Sequence, residues 1–144
     1  MAILIDNQQK NRPIAIKDIQ RTAQAILNAL DCPEGELSIL IVDDRRMAEL
    51  NHAYLQRTGP TNVIAFPMRE GDHADIQPDL LGDVVISMDT CAREADDAEI
   101  SPGKRFNQLL IHGILHLFGY DHVHSQSDAL VMEAKSIELL ELIR

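Results

Sequence analysis

Two histidines, His112 and His116, stand four residues apart in the apolar run FNQLLIHGILHLFG, which has the periodicity of a helix. At 3.6 residues per turn their rings stack one turn apart on a single face and can converge on one point. Gly119 offers a left-handed stop for that helix. The turn at Tyr120 and Asp121 can then carry His122 back over the same face. Three imidazoles with one open position make a catalytic zinc site, whereas a fourth protein ligand would close it. A single histidine on an apolar face is a packed core residue more often than a ligand. Three at this spacing argue for metal.

The spacing, H-x3-H-x5-H with glycine three residues after the second histidine, matches the zinc-binding half of the metzincin pattern. Where that pattern has glutamate, this chain has Gly113. The glutamate is the general base of a metalloprotease, so peptide hydrolysis by that route lacks its proton acceptor.

The run from His112 to His122, HGILHLFGYDH, resembles the signature of the YbeY family of bacterial metal-dependent endoribonucleases. Two further stretches resemble that family in the same order, Pro60–Pro67 (PTNVIAFP) and Leu81–Ser87 (LGDVVIS), so the likeness covers nearly the whole chain. It implies one domain over residues 1–144 and one zinc ion held by His112, His116 and His122. It also implies single-stranded RNA as substrate, a role in maturation of small-subunit ribosomal RNA, and contact with the ribosome or its proteins. Such an ion lowers the pKa of its water to around 7. The hydroxide then attacks phosphorus, or deprotonates a ribose 2′-hydroxyl for internal attack. Two other readings compete: a metal-dependent hydrolase of peptides or small molecules, and a non-catalytic ribosome-assembly factor with a structural zinc and an acidic docking segment.

The family pattern places an arginine after the tyrosine that is here Tyr54. This chain has Leu55 there and Arg57 two residues later. Either Arg57 supplies the catalytic phosphate contact from its new place, a guanidinium being suited to bidentate grip and charge stabilisation, or it is a solvated loop arginine. Asn62 and Ala65 stand where the family commonly has aspartate and serine. Asp121 can accept a ligand's free ring N–H, act as base, or bond its own turn. His52, His73 and His124 read as surface residues, and Asp83 as a strand-edge aspartate outside the catalytic set.

The elements that must position these groups read as α+β: a small mixed four-stranded sheet with helices mainly over one face. Strands are expected at 2–6 (short and buried), 37–42, 61–66 and 83–88, the last fed by a tight Gly82. Helices are expected at 16–30, 45–55, 89–97, 104–118 and 127–142, with Asp44 capping the second and Asp89-Thr90 the third.

A chain of 144 residues with a formal charge of −10 is no general nucleic-acid coat. Residues 70–99 hold ten acids against one base, so the acidity is local and any RNA contact must be focused on a few groups. Cys32 and Cys91 read as reduced structural thiols, with Cys91 near the metal as the alternative. No apolar run reaches the length of a membrane span, and Met1–Asp6 is too short and too soon charged for a signal peptide, which points to the cytoplasm.

Overall fold

The computed structural model describes residues 2–68, 79–120 and 125–143. Along the chain run β1 (Ile3–Asn7), α1 (Ile16–Ala29), β2 (Glu36–Val42), α2 (Asp44–Leu55), β3 (Val63–Pro67) and β4 (Leu80–Ser87). Three helices follow: α3 (Met88–Asp97), α4 (Pro102–Leu117) and α5 (Gln126–Leu142). The strand order is β1-β2-β4-β3. β2 is parallel to both β1 and β4, and β3 runs antiparallel to β4. The mixed α+β sheet is as expected, and β3 is an edge strand.

Both faces of the sheet are buried, which explains why β2 and β4 read as nearly continuous apolar runs. On one face Leu37, Ile39, Ile41, Val84 and Ile86 meet side chains of α1, α4 and α5, such as Ile26, Leu27, Leu110, Ile114 and Leu139. On the other, α2 alone lays Met47 and Leu50 over Val42, Ile64 and Val85. β1 differs from the buried strand expected of Ile3, Leu4 and Ile5. As an edge strand it buries Ile3 but leaves Leu4 63% exposed.

β4 starts three residues earlier than Asp83. Glu36 pairs with Leu80 and Leu37 with Gly82, so Leu81 is an extra residue in β4. Gly82 (φ 136°) absorbs that bulge inside the strand instead of turning before it. A Cβ at this glycine would lie 2.1 Å from the Phe66 carbonyl oxygen across the β3 pairing.

The helix starts also shift by a residue or two. Asp43, not Asp44, caps α2 by accepting from the Arg46 N–H at 2.9 Å. Ser87 caps α3 by accepting from the Thr90 N–H, and the Asp89 carboxylate instead accepts the Asp44 N–H at 3.0 Å. Asp44 is thereby released to join three elements. Its Oδ1 accepts from the Ser87 hydroxyl (2.6 Å) and the Thr90 hydroxyl (2.7 Å), and its Oδ2 from the Arg93 guanidinium (2.7 Å). Neither cysteine forms a disulfide. Among the described residues no helix is long and apolar enough to cross a membrane.

Burial pushes the Asp44 carboxyl up, but hydrogen bonds from Ser87, Thr90 and Arg93, with the guanidinium charge, leave it below the usual carboxylate value. A lowered folded value means that its stabilisation is complete above the unfolded value of about 4. That stabilisation is lost as pH falls through the folded value. Asp44→Asn should therefore cost about 1–3 kcal/mol in urea unfolding at pH 7. The gap to wild type should shrink as the pH is lowered below about 4. Equal stability of the two proteins at pH 7 would show that this cluster ties nothing together.

Candidate functional site

The histidine helix begins more sharply than its sequence implies. Ser101 caps it by accepting from the Lys104 N–H at 3.1 Å, and Pro102 takes the first helical position, so Ser101-Pro102-Gly103 starts the helix as well as breaking the chain. At the other end Gly119 (φ 93°) donates to the His116 carbonyl and Tyr120 donates to the Leu115 carbonyl, both at 3.0 Å. This paired closure is the Schellman stop that the glycine allows. Both ends of α4 are therefore fixed.

Between those ends, the His112 and His116 rings stand 4.5 Å apart and nearly perpendicular, with their Nε2 atoms 3.0 Å from each other. Two nitrogens on one tetrahedral zinc at ~2.0–2.1 Å would be separated by roughly 3.3 Å. The observed pair needs to open only a few tenths of an ångström to hold an ion, and both rings are partly exposed. The donor chemistry suits zinc. Among the described residues no group of three metal-ligating side chains occurs. His122, the third expected ligand, lies outside those residues, as do Asp121, His124 and His73.

Gly113 sits between the two histidines, turned to the sheet. A Cβ there would be 2.6 Å from Val84 Cγ1 and 3.2 Å from Val63 Cγ2. The metzincin-type glutamate is thus missing for a packing reason: position 113 is where α4 touches β3 and β4, and no side chain fits.

The pair opens onto a cleft of about 500 Å³ between α4, the edge strand β3 and the segment after α2. Its described lining runs from Leu55 and Arg57 through Thr61–Ala65 and Pro67 to His112, His116 and Tyr120. No carboxylate is among them, and Arg57 is the one permanently charged group. Arg57 is exposed, and its guanidinium has no hydrogen bond or ion pair among the described residues. The loop carrying it is anchored by Asn51. That residue's carbonyl accepts the Arg57 N–H (3.2 Å), and its side-chain amide donates to the Gly59 carbonyl (2.8 Å). The structure thus brings Arg57 and the two described histidines to one cleft.

Other candidates fall elsewhere. Asp83 shares the α2-side face of β4 with Val85 and is exposed, and His52 is exposed on α2. Cys91 is fully buried, its thiol donating to the Pro102 carbonyl at 3.6 Å. Burial pushes that thiol up to about 11, so it stays protonated away from the histidine cleft. Sequence reasoning passed over Asn51 and a polar network beside His112. In that network Asn62 donates to Glu94 (3.2 Å), whose Oε1 also accepts from Arg105 Nε and Nη2 at 3.0 and 2.9 Å. Gln108 takes Arg105 Nη1 at 2.8 Å. The signal was present: Arg105, Gln108, His112 and His116 recur at helical spacing, a polar stripe on an otherwise apolar helix.

A family model described as Endoribonuclease YbeY matches residues 4–144. The chain belongs to the YbeY family. The Endoribonuclease YbeY of Syntrophotalea carbinolica is 50% identical over 143 residues, covering 99% of this chain and 95% of that protein. The protein of the same name from Geobacter sulfurreducens is 46% identical over 144 residues, covering 99% and 96%. The solution structure of TM1509 from Thermotoga maritima superposes with a TM-score of 0.70 at 22% identity, covering 98% of this chain and 88% of that one. That likeness establishes a shared fold. The YbeY membership agrees with the resemblance carried by the histidine run and its two companion stretches.

The packing at Gly113 can be tested directly. Val84 is β-branched and buried, so it cannot swing aside cheaply. Gly113→Ala should lose about 1–2 kcal/mol in urea unfolding despite alanine's better helix propensity. Gly113→Glu should lose more and gain no proteolytic activity on casein. A stable, caseinolytic Gly113→Glu protein would overturn this account of the missing acid.

Proposed function

We propose that this chain is a zinc-dependent, single-strand-specific endoribonuclease, one catalytic domain over residues 1–144, that works in the cytoplasm. Its substrates are precursors of small-subunit ribosomal RNA, met on or near the ribosome. The observation that carries this reading is the convergence of His112 and His116 Nε2 at 3.0 Å in a cleft whose described lining has Arg57 and no carboxylate, in a chain matched along residues 4–144 by an endoribonuclease family.

His112, His116 and His122 hold the ion, which when bound supplies Lewis acidity toward a phosphoryl oxygen and a nucleophile at neutral pH. The protein's own groups do the rest. Arg57 holds the phosphate and stabilises the charge that builds on its oxygens. Asn51 keeps the Arg57 loop against α2, so the guanidinium is presented to the cleft. The edge strand β3 forms the opposite wall. Peptide hydrolysis is the weaker reading, because Gly113 leaves no room for the acid that reaction uses.

Metal analysis should find about one zinc per wild-type chain, with zinc and cleavage of single-stranded RNA lost together in His116→Ala. Chelation should abolish cleavage and added zinc restore it. Arg57→Ala should keep its zinc and lower kcat/KM by about 10–100-fold, and Arg57→Lys should recover only part of it. Cleavage that survives chelation would refute the metal-dependent reading. An Arg57→Ala protein with wild-type kcat/KM would return Arg57 to the solvent.

A further inference from the structure

A second cleft, of about 460 Å³, lies beside the first, between α4 and α5. The two share Asn62, Val63 and His112, so a strand crossing His112 can place neighbouring units in each. Their chemistry differs. Leu109, Ile137 and Leu140 give the second cleft apolar walls. Besides Arg105 and His112 its polar groups are Asn62, which donates to Glu94, Ser136, which donates to the Met132 carbonyl, and Gln108 and Glu133. Its volume falls within the range of roughly 300–1,000 Å³ usual for small-ligand sites, enough for one nucleobase and its ribose.

Electrostatics decide which part of a nucleotide goes where. Arg105 also lines this cleft, but three of its five N–H donors go to Glu94 and Gln108, and the Glu94 carboxylate, 2.9 Å away, offsets its charge. Glu133 has no hydrogen bond or ion pair among the described residues, and this uncompensated carboxylate repels a phosphate. The phosphate goes to Arg57 in the first cleft, leaving the second for a base.

Base edges in single-stranded RNA are read by hydrogen bonds. An ionised carboxylate accepts through two oxygens. Arg105 occupies the Gln108 carbonyl oxygen, which leaves that side chain its two amide hydrogens as donors. Two acceptors beside a donor complement the guanine edge, with N1–H and N2–H next to O6. Adenine and cytosine put a ring acceptor where guanine has N1–H, and uracil flanks its N3–H with two carbonyls that face the carboxylate.

We infer that the cleft between α4 and α5 is a guanine pocket for the nucleotide next to the cut phosphate, read by Glu133 and Gln108. This rests on the RNA-cleaving reading above and adds to it a sequence preference.

Two measurements separate the two ideas. In the first, cleavage-resistant RNA hexamers of adenosine with a central G, A, C or U are titrated against the protein by fluorescence anisotropy. The guanine hexamer should bind at least about tenfold more tightly, and Glu133→Gln should remove most of that margin, because an amide cannot accept from both donors. Gln108→Leu should reduce it in parallel. In the second, cuts in random-sequence 12-mers are mapped, and guanine should be enriched at one position flanking the cut in wild type and not in Glu133→Gln. Equal binding of the four hexamers, or a guanine margin unchanged in both variants, overturns the pocket whether or not the protein cuts RNA. Guanine-selective binding without any cleavage leaves the pocket standing and removes the nuclease reading.

Discussion

The closeness of α4 to the sheet at Gly113 is the constraint on which the site depends. With no side chain at that position, the helix can settle against Val84 and Val63. The residues to either side on the helix, His112 and His116, are then brought to the rim of the sheet beside β3. They are too shallow to be buried in the core and too near the sheet to be fully exposed. The same contact forbids an acid between them. A base used in the reaction must therefore come from another element or from the substrate.

That contact fixes the helix laterally, and the two ends fix it along its axis. Ser101 and Pro102 set where the first turn begins, and Gly119 closes the last with its paired hydrogen bonds. A slide of one residue would rotate the polar stripe by 100° and carry His112 off the rim. The other wall of the cleft is positioned from further away. Asp44 joins the start of α2 to the end of β4 and the first turns of α3, and Asn51 ties the far end of α2 to the Arg57 loop. One helix thus transmits the position of the sheet to the loop that carries Arg57.

What could be read from residues alone follows this division. Helix periodicity placed α1 and α4 within two residues, because their apolar positions repeat without interruption. β2 was equally clear, being β-branched and bounded by turn residues. Cap identities slipped by a residue or two, since runs such as Asp43-Asp44 and Ser87-Asp89 offer several acceptors and only tertiary contacts choose among them. Gly82 read as a turn because a glycine's sequence neighbours do not distinguish a turn from a bulge. Asn62 and Glu94 are far from Arg105 in the chain and ordinary in composition, so only the Arg105–Gln108 part of their network, on the polar stripe of α4, had a local signature. The histidine spacing had one too, since it encodes geometry within one helix.

The acidity of the chain poses the remaining physical question, and its placement answers it. At −10 the protein as a whole repels RNA, but screening confines that repulsion to about 8 Å at physiological salt. Within that range charge position matters more than charge total. Asp44 is matched by Arg93, Glu94 by Arg105, and Asp83 faces the α2 side of the sheet. None of them lines the histidine cleft, where Arg57 is the sole permanent charge among the described lining residues. A polyanion is therefore not drawn to this surface in general. On the proposed function it is accepted at one place, where a single cation and the histidine pair line the same cleft. Such a surface has little hold on nucleic acid except where the scissile phosphate fits, which makes a net negative charge compatible with selective action on RNA.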